Sequence, residues 1–220
     1  MENKLIFAIL LLVVVLFNTR CTKPKDEKLP IYGSREIAVV EVNGQKKVDT
    51  VYHTIAPFSF INQDSQEVTH KTFENKIYVA DFFFTSCRTI CPIMKTQMLR
   101  VYDSIQNMDD VMILSHTIDP VHDNVARLHD FAERLGVKSS KWHFVTGERD
   151  SIYNLAQTSY FVTAMEDKSE PDGFIHSGAF LLIDKQRRIR GKYDGTSEED
   201  VNRLIRDIRI LRKEYARQPG

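Results

Sequence analysis

Cysteine is scarce in this chain: Cys21, Cys87 and Cys91 are the only three in 220 residues. A small domain stapled by disulfides would carry more of them, at wider spacing. Cys87 and Cys91 are so close in sequence that a bridge between them closes almost no loop, so constraining the unfolded chain is not their main purpose. Net charge is lacking too. Thirty Lys and Arg balance thirty Asp and Glu, which leaves no overall field for gathering nucleic acid or acidic substrates. There is no repeat period and no low-complexity tract. An apolar run of the roughly 20 residues that a transmembrane helix needs is also missing. The longest, LIFAILLLVVVLF from Leu5 to Phe17, has the length of a signal-peptide core.

Lys4 precedes that run, and Cys21 follows it where a lipoprotein signal places its acylated cysteine. Arg20 departs from the small residue such signals prefer. A lipidated Cys21, an uncleaved short anchor and simple secretion share one consequence, export. The domain is expected to face the periplasm or another extracytoplasmic space, and the membrane is an expected partner through the N-terminus. Residues 1–21 read as leader. Residues 22–36, with Pro24, Pro30 and Gly33, read as a polar tether. Residues 37–214 read as one folded domain, and 42% hydrophobic residues suit a single core.

Strand and helix signals alternate along that domain. Ile37 to Phe60 gives strand-like pieces with a hairpin signal at Asn43-Gly44. KIYVADFFF (Lys76–Phe84) and VMILSHTID (Val111–Asp119) read as strands buried on both faces. After the first, Met94, Met98, Val101 and Ile105 keep helical spacing. After the second, Val125, Leu128, Ala132 and Leu135 do so, up to Gly136. WHFVTG gives a short strand and SIYNLAQTSY a helix. Ser177–Gly195 reads as a hairpin, and SEED opens a last helix striped by Val201, Leu204, Ile205, Ile208 and Leu211. Strand, helix, strand, helix, hairpin, helix is an α/β order. It predicts a thioredoxin-like fold, a central mixed sheet flanked by helices, with an added N-terminal β-hairpin region.

That topology puts Cys87 and Cys91 between a strand end and a helix start, where backbone N–H groups and the helix dipole favour negative sulfur. Pro92 suits the first helical position, which predicts Cys91 as the helix cap and Cys87 in the loop above it. On one regular helix their Cβ atoms would be roughly 5–6 Å apart, whereas a disulfide wants about 3.5–4.5 Å. Two thiolates on one metal need sulfurs that are close but not bonded. The spacing therefore suits a metal, yet the loop can still close onto a disulfide. A metal needs a further ligand, and the histidines are His53, His70, His116, His122, His129, His143 and His176. His176, just before the closing hairpin, belongs to the loop that a thioredoxin-like sheet lays beside the cysteines. Two thiolates and one imidazole form a set that favours copper, as Cu(I) or Cu(II). His116 and Asp119, at the end of the second strand, are candidate supporting residues.

The segments DFFFTSCRTICP, SHTIDPVHDNVARLHDFAERLG, WHFVTG and IHSGAFLLID, within Ile55–Ile210, together resemble the SCO/SenC family. The resemblance implies a membrane-tethered, thioredoxin-fold copper protein that helps assemble the binuclear copper centre of cytochrome c oxidase. Its partner would be the copper-bearing subunit of a terminal oxidase, with no role for nucleic acid. The family's cysteine ligands fall on Cys87 and Cys91, its histidine ligand on His176, and its Asp-Pro on Asp119-Pro120. Arg88 is a departure: a fixed cation between the cysteines favours thiolate and opposes a bound metal cation. Phe174-Ile175 is another, more apolar than the family pattern. Beside a copper metallochaperone stands a second expectation, a thiol–disulfide oxidoreductase with Cys87 and Cys91 as its catalytic pair. A redox sensor or peroxide-handling relative is a third.

Overall fold

The computed structural model describes residues 28–42, 44–167 and 174–217. The leader, Cys21 and the first part of the tether lie outside the described residues. Among the described residues no helix is long and apolar enough to cross a membrane.

The described residues form eleven strands. They are β1 (Arg35–Val42), β2 (Gln45–Tyr52), β3 (Ser59–Asn62), β4 (Glu67–Thr69), β5 (Ile77–Phe83), β6 (Val111–Thr117), β7 (Trp142–Thr146), β8 (Ala164–Glu166), β9 (Phe174–His176), β10 (Ala179–Ile183) and β11 (Ile189–Asp194). The helices are α1 (Cys91–Ser104), α2 (Val125–Leu135), α3 (Arg149–Asn154), continued by a π turn, and α4 (Glu198–Ala216). Seven strands form one mixed sheet in the order β11-β10-β5-β6-β7-β3-β4. β5, β6 and β7 are parallel, joined through α1 and α2, and β10, β11, β3 and β4 flank them antiparallel. This is the expected thioredoxin-like arrangement. β1 and β2 make a separate hairpin in front of it.

β5 and β6 are buried along their whole length, and alternate residues face opposite sides of the sheet. Asp81, Phe83, Ser115, Trp142 and Phe144 share the side covered by Met94 and Met98 of α1 and Phe131 of α2. On the other side Phe58, Phe60, Phe82 and Tyr160 pack around His116. α2 stops at Gly136, whose φ of +68° is open to glycine at little cost. α4 opens with the Ser197 side chain accepting from the Asp200 amide.

The second half of the segment read as tether is held against the domain. The buried Arg190 guanidinium donates to the carbonyls of Leu29 (2.7 Å) and Pro30 (2.9 Å), and Tyr32 N–H donates to Ile189 O (2.9 Å). Arg190 also pairs with Asp184 at 3.2 Å and Glu214 at 2.8 Å. Proline, glycine and charge gave this stretch a linker's composition, while the arginine that fixes it lies far along the chain.

His116 is fully buried, and neither ring nitrogen completes a hydrogen bond with good geometry. Burial pushes its pKa down from 6.5 to about 3, and burial likewise takes His143 to about 4. Both are therefore favoured neutral in the fold, so unfolding takes up protons below pH 6.5. Their stabilising contribution is complete above pH 6.5 and is lost as pH falls towards 4 for His143 and 3 for His116. The slope is about 1.4 kcal/mol per pH unit for each histidine. His116→Phe is expected to flatten the acid limb of Tm against pH relative to the parent chain. Parallel curves would show that His116 does not titrate on unfolding.

Candidate metal centre

The strand β5 ends in a loop that runs through Cys87 to the start of α1. Ile90 is the cap and makes no side-chain capping bond, so the helix begins at Cys91, one residue earlier than Pro92 suggested. Pro92 still lies in the first turn, where a missing N–H costs no helical hydrogen bond.

Cys87 and Cys91 are both buried and no disulfide joins them. Their sulfurs are hydrogen-bonded to each other, and Cys87 Sγ also lies 3.5 Å from Thr89 Oγ1. The bond with Cys87 is the main cause that pushes the Cys91 thiol far up, and burial adds to it. A hydrogen bond with the Phe84 backbone acts the other way, and the Asp81 charge raises it further. The pair shares a narrow cavity of about 30 Å³, walled by Asp81, Thr85, Met94 and Trp142 among others. That is room for about one water. Asp81 accepts the Ser115 hydroxyl, and Ser115 in turn accepts Trp142 Nε1–H at 2.8 Å.

His176 ends β9, whose partner strand is β8, with Ala164 opposite His176. Two contacts put this piece of chain beside the cysteine loop. The Phe174 ring packs on Phe84, with centroids 4.9 Å apart, and Phe84 stands just before the loop. On the other side of His176, a Cβ placed on Gly178 would lie 3.6 Å from Ile90 Cδ1, beside Cys91. The sequence suggested a loop here; the structure has a short two-stranded ribbon.

The other candidates are placed elsewhere. His116, expected as a supporting residue, faces the opposite side of the sheet from the cavity. Asp119 is buried at a turn, where its amide donates to Thr117 Oγ1 and its carboxylate holds His122 Nδ1 at 2.9 Å. Neither lines the cysteine cavity. Arg88 is exposed, between the two cysteines. His53, His122, His129 and His143 are engaged by Ser159, Asp119, Asp64 and Asn62 respectively. Among the described residues no group of three His, Cys, Asp or Glu side chains converges as a metal set. The donors brought together there are the two sulfurs.

Sequence reasoning passed over Asp123. It is fully buried and accepts from Thr85 N (2.9 Å), Thr85 Oγ1 (2.5 Å) and Thr117 Oγ1 (2.6 Å), so it fastens the start of the cysteine loop to the end of β6. In VHDN it looks like any surface carboxylate. Asp81 was visible as the single acid in an apolar strand, the one signal that could have marked it.

Comparison with known proteins identifies the family and the fold. The SCO1/SenC family model matches residues 46–212. The SCO1 protein homolog of Bacillus subtilis is 30% identical over 168 residues, covering 76% of this chain and 86% of that protein. The crystal structure of a SCO1/SenC family lipoprotein from Bacillus anthracis superposes with a TM-score of 0.67 at 28% identity, over 73% of this chain and 95% of that one. BsSco, described as a member of the Sco family of cytochrome c oxidase assembly proteins with a disulfide switch, gives 0.64 at 28% identity, over 72% and 93%. Copper-bound ScoI of Arabidopsis thaliana gives 0.60 at 26% identity, over 72% and 98%. Two thiols at a strand-to-helix junction of a thioredoxin-like sheet, and a sequence match spanning nearly all of that domain, establish that the chain belongs to the SCO1/SenC family.

Proposed function

We propose that the chain is an exported, membrane-held copper metallochaperone that serves the copper-bearing subunit of a terminal oxidase. Cys87, Cys91 and His176 are its copper ligands in this reading. The observation that carries it is the approach of the β9 segment to the hydrogen-bonded sulfur pair, through Phe84–Phe174 on one side of His176 and Ile90–Gly178 on the other. Thiolates suit Cu(I), and an added imidazole extends the set to Cu(II). The copper-bound relative and the oxidase-assembly description of BsSco support the cargo and the client. The leader with Cys21, and the lipoprotein among the relatives, support attachment to the membrane.

Full-length reduced protein in detergent is expected to take up one copper per chain, with absorption growing in the thiolate-to-copper charge-transfer region. Alkylating the thiols beforehand should abolish both. Uptake that fails to saturate, or that survives alkylation, would overturn the assignment.

The contact between the sulfurs favours a second reading for the same pair. Two thiols already hydrogen-bonded can give up two electrons and two protons to an oxidised partner disulfide, becoming a disulfide as the partner becomes a dithiol. This reading needs no histidine, and reduction of an oxidised partner peptide by His176→Ala at the parent rate would favour it.

A further inference from the structure

The end of the domain opposite the cysteines is basic, and the chain enters the domain there. β5 links the two ends. Its first residue, Ile77, donates to Asp110 O, and the cysteine loop follows its last, a separation of roughly 20 Å at about 3.3 Å per residue. Around Asp110 lies a groove of about 510 Å³ lined by Lys185, Arg209, Arg212 and Lys213. A second depression, about 320 Å³, is lined by Lys71, Lys185 and Arg187, with Glu74 and His70.

Three carboxylates of this end are already engaged. Asp110 pairs with Arg212 at 2.7 Å and Lys185 at 3.6 Å, and Glu214 pairs with Arg190. Asp184 pairs with Arg188 and Arg190. Arg209 and Lys213 are exposed and have no carboxylate partner among the described residues. Arg187 Nη1 is a buried cationic donor without an acceptor, an arrangement that an anion's oxygen would satisfy.

The carbonyls of Leu29 and Pro30, at the start of the described residues, are bound by Arg190 next to Asp184 and Glu214. The eleven residues that follow Phe17, Asn18 to Lys28, reach at most about 40 Å. The basic end is therefore the part of the domain nearest along the chain to whatever holds the N-terminus.

We propose that this basic end docks on anionic phospholipid headgroups, so that the domain stands on the membrane with Cys87 and Cys91 directed away from it. The proposal rests on the reading that the N-terminus is held at a membrane. Tethering supplies a high local concentration of surface, and each cation brought within a Debye length strengthens association by about fivefold.

The test uses the full chain in vesicles of phosphatidylcholine, with and without one third phosphatidylglycerol. The rates at which a water-soluble succinimidyl ester acylates Lys185 and Lys213 are measured relative to Lys95, beside the cysteines. Acylation at both is expected to slow by about fivefold or more in the anionic vesicles, and to recover in high salt. In Arg209→Glu/Lys213→Glu, two exposed changes, Lys185 should show no lipid dependence. Equal rates in the two vesicles, with the protein bound to both, would overturn the docking surface. Slowing reproduced by inorganic phosphate with plain phosphatidylcholine would reassign the end to free anions and overturn the lipid proposal. Protein that floats only with the anionic vesicles would support the docking surface while overturning the N-terminal anchor. Protein that floats with neither would overturn both.

Discussion

Replacing either Cys87 or Cys91 by serine is expected to lower copper retention by on the order of 100-fold or more. Loss of a residue that merely supports a metal ligand costs about 10–100-fold, and loss of the ligand itself exceeds that. A serine hydroxyl is a hard, protonated oxygen at neutral pH, and two sulfurs are the donors that this loop brings together. His176→Ala is expected to behave differently. Two thiolates remain, so Cu(I) is retained better than Cu(II), and charge-transfer absorption of the Cu(II) form is lost. The measurement is competition with a chelator of known affinity for each oxidation state. Undiminished Cu(II) retention in His176→Ala would remove that residue from the ligand set while leaving the cysteines in place. Undiminished retention in both serine variants would remove the site.

Arg190→Ala is expected to produce the largest loss of stability, about 3–5 kcal/mol, as when one partner of a buried ion pair is deleted. For a domain of this size that corresponds to a fall in Tm of roughly 6–20 °C. The side chain is 2% exposed and serves Asp184, Glu214 and the carbonyls of Leu29 and Pro30 together. Without it Glu214 loses its ion-pair partner and the entering chain loses its clamp, so proteolysis around residues 28–34 should accelerate as well. Arg190→Lys restores the charge but not the fork, and is expected to recover only part of the loss. A Tm within about 2 °C of the parent in Arg190→Ala, less than the shift from 1 kcal/mol, would show that the network is dispensable.

What the sequence made legible was whatever repeats along the chain. β5 and β6 appeared as apolar runs, α1 and α4 as stripes, and the strand–helix alternation was enough to name the sheet. What stayed hidden depended on residues meeting across the fold. Arg190 looked like one more arginine in QRRIRGK, and only the folded turn reveals that it holds Pro30. His116 was placed near the site because it stands near the end of β6. The strand's period of two sends Ser115 to the cavity side and His116 away from it, and the parity could not be assigned before the helices were located. The ribbon of β8 and β9 escaped notice because each strand is three residues long, too short to show a period.

The clamp at Asp123 sets the scale on which the cysteine pair can move. Thr85 is fastened by two hydrogen bonds to a carboxylate buried at the end of β6, and Cys91 is already the first residue of α1. Residues 86–90 are the slack between these two fixed points. If the sulfur separation changes between a bonded and a metal-bridged pair, this short span is the stretch between the two anchors in which it would do so. On the outer surface of this span Arg88 and Thr89 are exposed.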